Sequence, residues 1–241
     1  MQGFANLGST CYINAVVACL CNTRWVKSRC AELAAATPFR ELFNDIQAAD
    51  SDGPIRLNQL AAWVKGKLGD GAQCTAELAD LFMDGIPKSL LPDVETSVKQ
   101  VMVCQSCHNQ TEQSQQVSLL ITELDGITPS RETIAGFVCD TCRACTTAFR
   151  TVEHAVSDDQ KLLVMVVPRP PGKASTAIPW LKTVQLDGFQ LVAYTICTGG
   201  HHVAVTRNGP GWRLHDDTSV RSIDGEAKVP LAHVLVLESV N

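Results

Sequence analysis

The sequence predicts an α+β fold, a helical first part followed by a strand-rich second part with a cleft between them. Three observations carry this. Ile13, Val16, Val17 and Leu20 recur at the i, i+3, i+4, i+7 spacing of a buried helical face. After Pro92 the texture changes to runs rich in valine, threonine and leucine, separated by Gly, Asp and Pro turns. No internal repeat or low-complexity tract interrupts the chain.

Taken in order, residues 1–10 are turn chemistry, and Ser9 or Thr10 is placed to cap a helix starting near Cys11. Further helices are expected over Phe39–Ala49 after Pro38, Leu57–Leu68 before Gly69-Asp70-Gly71, and Thr75–Met83 before Gly85. Strands are expected over Thr96–Val103, Gln116–Leu124, Lys161–Val167, Lys182–Leu186, Phe189–Cys197, His202–Thr206, Trp212–His215 and Leu231–Val236. The proline-rich stretch Pro168–Pro179 reads as a surface loop.

Composition narrows the class. The 241 residues are 45% hydrophobic and carry a net charge of −5, which argues against a general nucleic-acid binder with its basic stripe. The apolar run Tyr12–Cys21 is too short to span a bilayer and is flanked wrongly for a secretory signal, so a soluble chain is expected. Eleven cysteines, an odd number with no such signal, fit metal ligands and nucleophiles in the cytosol or nucleus better than a disulfide framework.

A cysteine nucleophile attacks as the thiolate, and the unpaired N–H groups at a helix N-terminus favour that charge. Cys11 is placed there; Cys19 and Cys21 lie deeper in the same apolar helix and read as core. The string Gly3-Phe4-Ala5-Asn6-Leu7-Gly8-Ser9-Thr10-Cys11-Tyr12-Ile13-Asn14 closely resembles the cysteine box of the ubiquitin-specific proteases, Gly-Leu-x-Asn-Leu-Gly-Asn-Thr-Cys-Tyr-Met-Asn. The resemblance implies a papain-like cysteine protease with Cys11 as nucleophile and Asn6 as an oxyanion donor. Such a donor is worth about 3 kcal/mol in serine proteases.

A thiolate protease also needs a base and a group that orients it. Asp216 follows His201 by fifteen residues, and the turn Asn208-Gly209-Pro210-Gly211 between them suits a hairpin that brings the two together. Gly200-His201-His202-Val203-Ala204-Val205 and Trp212-Arg213-Leu214-His215-Asp216-Asp217-Thr218-Ser219-Val220 are similar to the family's Gly-His-Tyr-x-Ala-Tyr and Trp-Tyr-x-Phe-(Asp/Asn)-Asp-x-x-Val. The resemblance makes His201 the base and Asp216 its orienting acid, with Asp217 a helper. His202 and His215 depart from the pattern, standing where the family has Tyr and Phe.

Cys104-x-x-Cys107 and Cys139-x-x-Cys142 lie 31 residues apart, the pattern of a closed tetrahedral zinc site. All four ligands are thiolates, so the zinc would be structural, with Cys145 and His108 as alternative ligands. By resemblance the pairs fall in the zinc-bearing fingers, between a helical thumb at about 1–92 and palm strands at about 166–241, leaving about 93–165 for the fingers.

Only ten residues precede Cys11, so the chain is expected to be a trimmed catalytic domain or a piece of a larger polyprotein. Its short loops and altered boxes point to a compact member of the family, viral or otherwise fast-changing. The leading reading is a deubiquitinase that cuts after the C-terminal Gly-Gly of ubiquitin, with ubiquitin or a ubiquitin-like protein as partner. The alternatives are a viral polyprotein protease cutting after Gly-Gly, a protease for another modifier, and an inactive zinc-stabilised ubiquitin-binding module.

Overall fold

The computed structural model describes residues 2–69, 74–122, 131–143, 146–168, 188–224 and 226–240. The first helix, α1 (Cys11–Asn22), is buried from Cys11 to Cys21, which is why its sequence is apolar on every side. It ends at Thr23, whose hydroxyl accepts from Val26 N–H (3.1 Å) and so caps α2 (Arg24–Ser28). Next come α3 (Cys30–Leu33), α4 (Phe39–Gln47), α5 (Asn58–Leu68) and α6 (Thr75–Asp84), then a 3-10 turn over Lys88–Asp93. The four helices expected from the sequence are present. The two short ones, α2 and α3, span too few residues to show a period.

Two sheets follow. β1 (Thr96–Cys104), β2 (Gln110–Val117), β4 (Arg131–Ala135) and β5 (Thr147–Ala155) form an antiparallel sheet in the order β2-β1-β5-β4. The larger sheet contains β3 (Leu119–Ile121), β6 (Leu162–Val166), β7 (Phe189–Thr198), β8 (His201–Asn208), β9 (Gly211–Asp216), β10 (Ser219–Ile223) and β11 (Ala232–Ser239). Its order is β10-β9-β8-β7-β11-β6-β3, and the β3–β6 pair is parallel.

The strand expected over Gln116–Leu124 is in fact the end of β2 and the whole of β3, with β3 ending at Ile121. Most of β2 (Gln110–Gln116) is polar and exposed, so it lacks the alternation that marks a half-buried strand; its pairing with β1 defines it. The expected strand Lys182–Leu186 and nearly all of the loop Pro168–Pro179 lie outside the described residues.

The larger sheet is apolar on both faces. Leu162, Val164, Val166, Ala193, Ala204, Val234 and Val236 join the core built by the helices. Leu163, Met165, Tyr194, Val205, Trp212 and Leu235 form a second core with Val98 and Val229. Burial on both faces explains the unbroken apolar run of β6. α1 is thus held between this sheet and α6, which fixes the position of its N-terminal end. Among the described residues, no helix is long and apolar enough to cross a membrane.

Helix α5 borrows its cap. Its preceding residue, Leu57, has no side-chain acceptor, and the buried carboxylate of Asp45 on α4 accepts from Gln59 N–H (3.1 Å) and Leu60 N–H (2.9 Å) instead. Replacing Asp45 by alanine leaves those two N–H groups without their acceptor. The variant should lose about 2 kcal/mol of stability in urea unfolding.

Candidate active site

The loop before α1 is wound around one side chain. Asn6 Oδ1 accepts from Gly8 N–H (3.1 Å), Thr10 N–H (3.3 Å) and the Thr10 hydroxyl (3.3 Å). The Thr10 hydroxyl in turn accepts from Leu7 N–H (2.9 Å). Thr10 therefore holds the N-cap position of α1 without capping it through its side chain, contrary to expectation; the loop's internal bonds have claimed the hydroxyl. Its backbone carbonyl receives Ile13 and Asn14 N–H at 3.0 Å each. The buried Cys11 follows as the first residue of the helix, at the end where backbone N–H groups have no intrahelical acceptor.

Burial pushes the Cys21 thiol up to about 12 and raises Cys19 further, so neither supplies a thiolate. Both are core residues, as their apolar setting suggests. Cys197, on β7, is also raised by burial, against a lowering hydrogen bond from Gly200.

The predicted hairpin is present. β8 and β9 pair from Asn208↔Gly211 to Ala204↔His215, so Asp216 follows the last of these pairs while His201 begins β8. Their side chains meet, His201 Nε2 to Asp216 Oδ1 at 2.7 Å. On its other side His201 is set by the tight reversal from β7, where Thr198 pairs with His201 across Gly199 and Gly200. Both glycines have left-handed φ (59° and 84°), a conformation that side-chain-bearing residues rarely adopt.

Asp217 does more than its sequence position suggested. Its Oδ2 accepts from Asn6 Nδ2 (2.8 Å), its Oδ1 from Asn14 Nδ2 (2.8 Å), and its backbone carbonyl from Phe4 N–H (2.9 Å). One carboxylate thereby joins the loop before Cys11, the first turn of α1 and the end of β9. The role of Asn14 was missed from sequence; its place three residues after Cys11, one turn along the helix, was the available signal.

The four cysteines of the paired motifs converge in the smaller sheet. Their sulfurs all lie within 4.8 Å of one another, with Cys104 Sγ to Cys142 Sγ at 3.8 Å and Cys107 Sγ to Cys139 Sγ at 3.6 Å. Four ligands at 2.3 Å around a tetrahedral zinc would stand about 3.8 Å apart, so this donor set fits the metal. Each pair sits in the same kind of turn. His108 N–H bonds to Cys104 O (3.0 Å) and Arg143 N–H to Cys139 O (2.8 Å), and both residues have left-handed φ. Hydrogen bonds from the N–H groups of Cys142 and Thr141 hold the Cys139 thiol down to about 7, as suits a thiolate ligand. His108 is not part of the cluster, and Cys145 lies outside the described residues.

The sequence profile of the ubiquitin carboxyl-terminal hydrolases matches residues 2–122. That stretch contains the Cys11 loop and the first cysteine pair but ends well before His201 and Asp216. Among solved structures, 252 chains match. One is the SAGA DUB module Ubp8/Sgf11/Sus1/Sgf73 bound to monoubiquitin, with a TM-score of 0.71 and 15% identity. The match covers 100% of this chain and 69% of that one, and at this identity it shows the fold. No curated protein sequence matches.

His215, beside Asp216, gives the hairpin a pH signature. Its Nε2 bonds the Thr206 hydroxyl (2.9 Å), and burial, aided by nearby positive charge, pushes it from its ordinary 6.5 down to about 4. The unfolded chain therefore binds the extra proton first. Stability should be constant on this account above pH 6.5 and fall as the pH drops toward 4, by about 3 kcal/mol in total. Denaturant midpoints measured across that range check it, and His215→Phe should flatten the slope.

Proposed function

The chain belongs to the ubiquitin carboxyl-terminal hydrolase family, and from that premise we propose that it cleaves the bond after the C-terminal Gly-Gly of ubiquitin through a Cys11–His201–Asp216 triad. As a member of that family it is a thiol-dependent hydrolase. The observation that carries the triad is the 2.7 Å contact of His201 Nε2 with Asp216, in a strand pair that packs on the helix begun by Cys11.

In this reading the contact distinguishes the two ring nitrogens, because a carboxylate only accepts. With Nε2–H held by Asp216, Nδ1 is left to exchange the reacting proton. In this reading Nδ1 takes the proton of the Cys11 thiol, and Sγ attacks the carbonyl carbon of the terminal glycine. The oxyanion that forms is met by the second N–H of Asn6, the first being held by Asp217, and by the unpaired backbone N–H of Cys11. Imidazolium Nδ1–H then protonates the leaving amine as the C–N bond breaks, leaving a thioester on Cys11. Water, deprotonated by His201, attacks that thioester and releases the carboxylate. Asp217 acts here as a positioning residue, because it holds Asn6 at its donor position.

Ubiquitin is the proposed partner. The solved structure that shares this fold has monoubiquitin bound, and the smaller sheet offers a second surface beyond the cleft. Cys104, Cys107, Cys139 and Cys142 are the proposed ligands of a structural zinc, distant in role from the reaction. None of the ten described cysteines is in a disulfide, and we infer a reducing setting such as the cytosol or nucleus.

Ubiquitin carrying a C-terminal thiol-reactive group should form one covalent adduct at Cys11, seen by intact mass and peptide mapping. Cys11→Ala should form none while still binding ubiquitin. Labelling only by another modifier's probe would move the substrate, and no labelling of folded protein by any probe would sink the hydrolase reading.

For the metal, native mass spectrometry should find one zinc per chain. Chelation should raise hydrogen exchange in β1, β4 and β5 while the larger sheet stays protected. Exchange in β1, β4 and β5 that stays unchanged after complete zinc removal would refute the structural role.

A further inference from the structure

The segment Gly3–Ala5 bridges two parts of the molecule. On one side Ile55 N–H donates to Gly3 O (3.0 Å) and Ala5 N–H to Ile55 O (2.8 Å). On the other, Phe4 N–H donates to Asp217 O (2.9 Å) in the turn from β9 to β10. The two backbones are so close that a Cβ on Gly3 would lie 2.5 Å from Thr218 O and 2.6 Å from Asp217 O. Both obstacles are main-chain carbonyls, so neither can swing aside as a side chain would. The turn is itself constrained: Asp216 pairs with Ser219 across it, and Asp217 sits at φ 48°. Gly3 has no left-handed φ, so close approach is what requires glycine here, not conformational freedom.

We propose that Gly3 is a positioning residue for the reaction, setting by backbone contact the distance between the oxyanion donor Asn6 and the turn that carries Asp216 and Asp217. This rests on the reading of Cys11, His201, Asp216 and Asn6 given above. Asn6 lies three residues after Gly3, and the Asp217 carboxylate that holds its amide lies in the turn Gly3 touches. An alanine Cβ would force the two backbones apart by roughly 1 Å, and a displacement of that size costs on the order of 100-fold in rate. Gly3 contacts the Asp217–Thr218 turn and Ile55, not the smaller sheet proposed above as a surface for ubiquitin, so the loss is expected on turnover.

The test is Gly3→Ala, assayed with a fluorogenic ubiquitin C-terminal reporter and with the thiol-reactive ubiquitin probe. The expected result is a kcat at least tenfold lower, a KM within twofold, and labelling of Cys11 that is slower but still complete. A purely structural defect would instead leave part of the protein unlabelled at the end point, and that result overturns the proposal. So does a kcat within twofold of the parent chain. If Gly3→Ala does not fold, a chain freed from an N-terminal tag by proteolysis so that it begins at Phe4 removes the contact without adding a Cβ. Complete labelling at a rate at least tenfold lower supports the proposal there, and any smaller change overturns it. Absence of labelling in the parent chain defeats the reading of the site itself, and this proposal with it; normal labelling of the parent beside an unimpaired Gly3→Ala defeats only the proposal.

Discussion

A single residue, Asp217, holds the candidate active site in register. Asp217 receives the amides of Asn6 and Asn14 on its two oxygens and Phe4 N–H on its carbonyl, so the loop, the helix and the strand end that meet here share one fixed point. Each of those pieces has its own internal order. The loop is wound around Asn6 Oδ1, the helix is buried between α6 and the larger sheet, and the strand is fixed by the β8–β9 pairing. What none of them supplies is their mutual placement, and chemistry at a carbonyl carbon depends on that placement to within a fraction of an ångström.

The rest of the structure can be understood as support for that point. The larger sheet is buried on both faces, one against the helices and one in a core of its own, so β8 and β9 have little freedom to shift relative to α1. The left-handed glycines at 199 and 200 let β7 turn into β8 without a loop, which starts the strand at His201 itself. The chemistry proposed above is then carried by side chains at the ends of rigid elements, where their backbones are already determined.

Much of this was legible in the sequence, for identifiable reasons. α1 shows a helical period, α4, α5 and α6 are marked off by Pro and Gly breaks, and β6, β7 and β8 are apolar enough to show as strands. His201 and Asp216 could be paired because a hairpin with a recognisable turn lies between them. The CxxC pairs announced their cluster because zinc chemistry imposes that spacing. What escaped was set by tertiary contact. The strand β2 has no apolar face to advertise it; the cap of α5 comes from a different helix; Thr10 gives its hydroxyl to a loop instead of a helix end. The links of Asp217 to Asn6 and Asn14 span more than two hundred residues, beyond the reach of any local pattern.

The smaller sheet is built by a different rule from the larger one. Its tip has four thiols and the partly buried Phe137 where a core would be, and its outer strand β2 is polar and exposed over most of its length. A sheet whose tip would be tied by the proposed zinc does not need its surface side chains for cohesion. Substitutions along β2 can therefore accumulate with little effect on folding, because surface changes away from packed groups seldom cost more than about 0.5 kcal/mol. Within one chain, the larger sheet is bound to its sequence by packing, while the smaller is free to drift. Over generations the outer strand is where a change of partner would be recorded first, with the reaction centre left as it was.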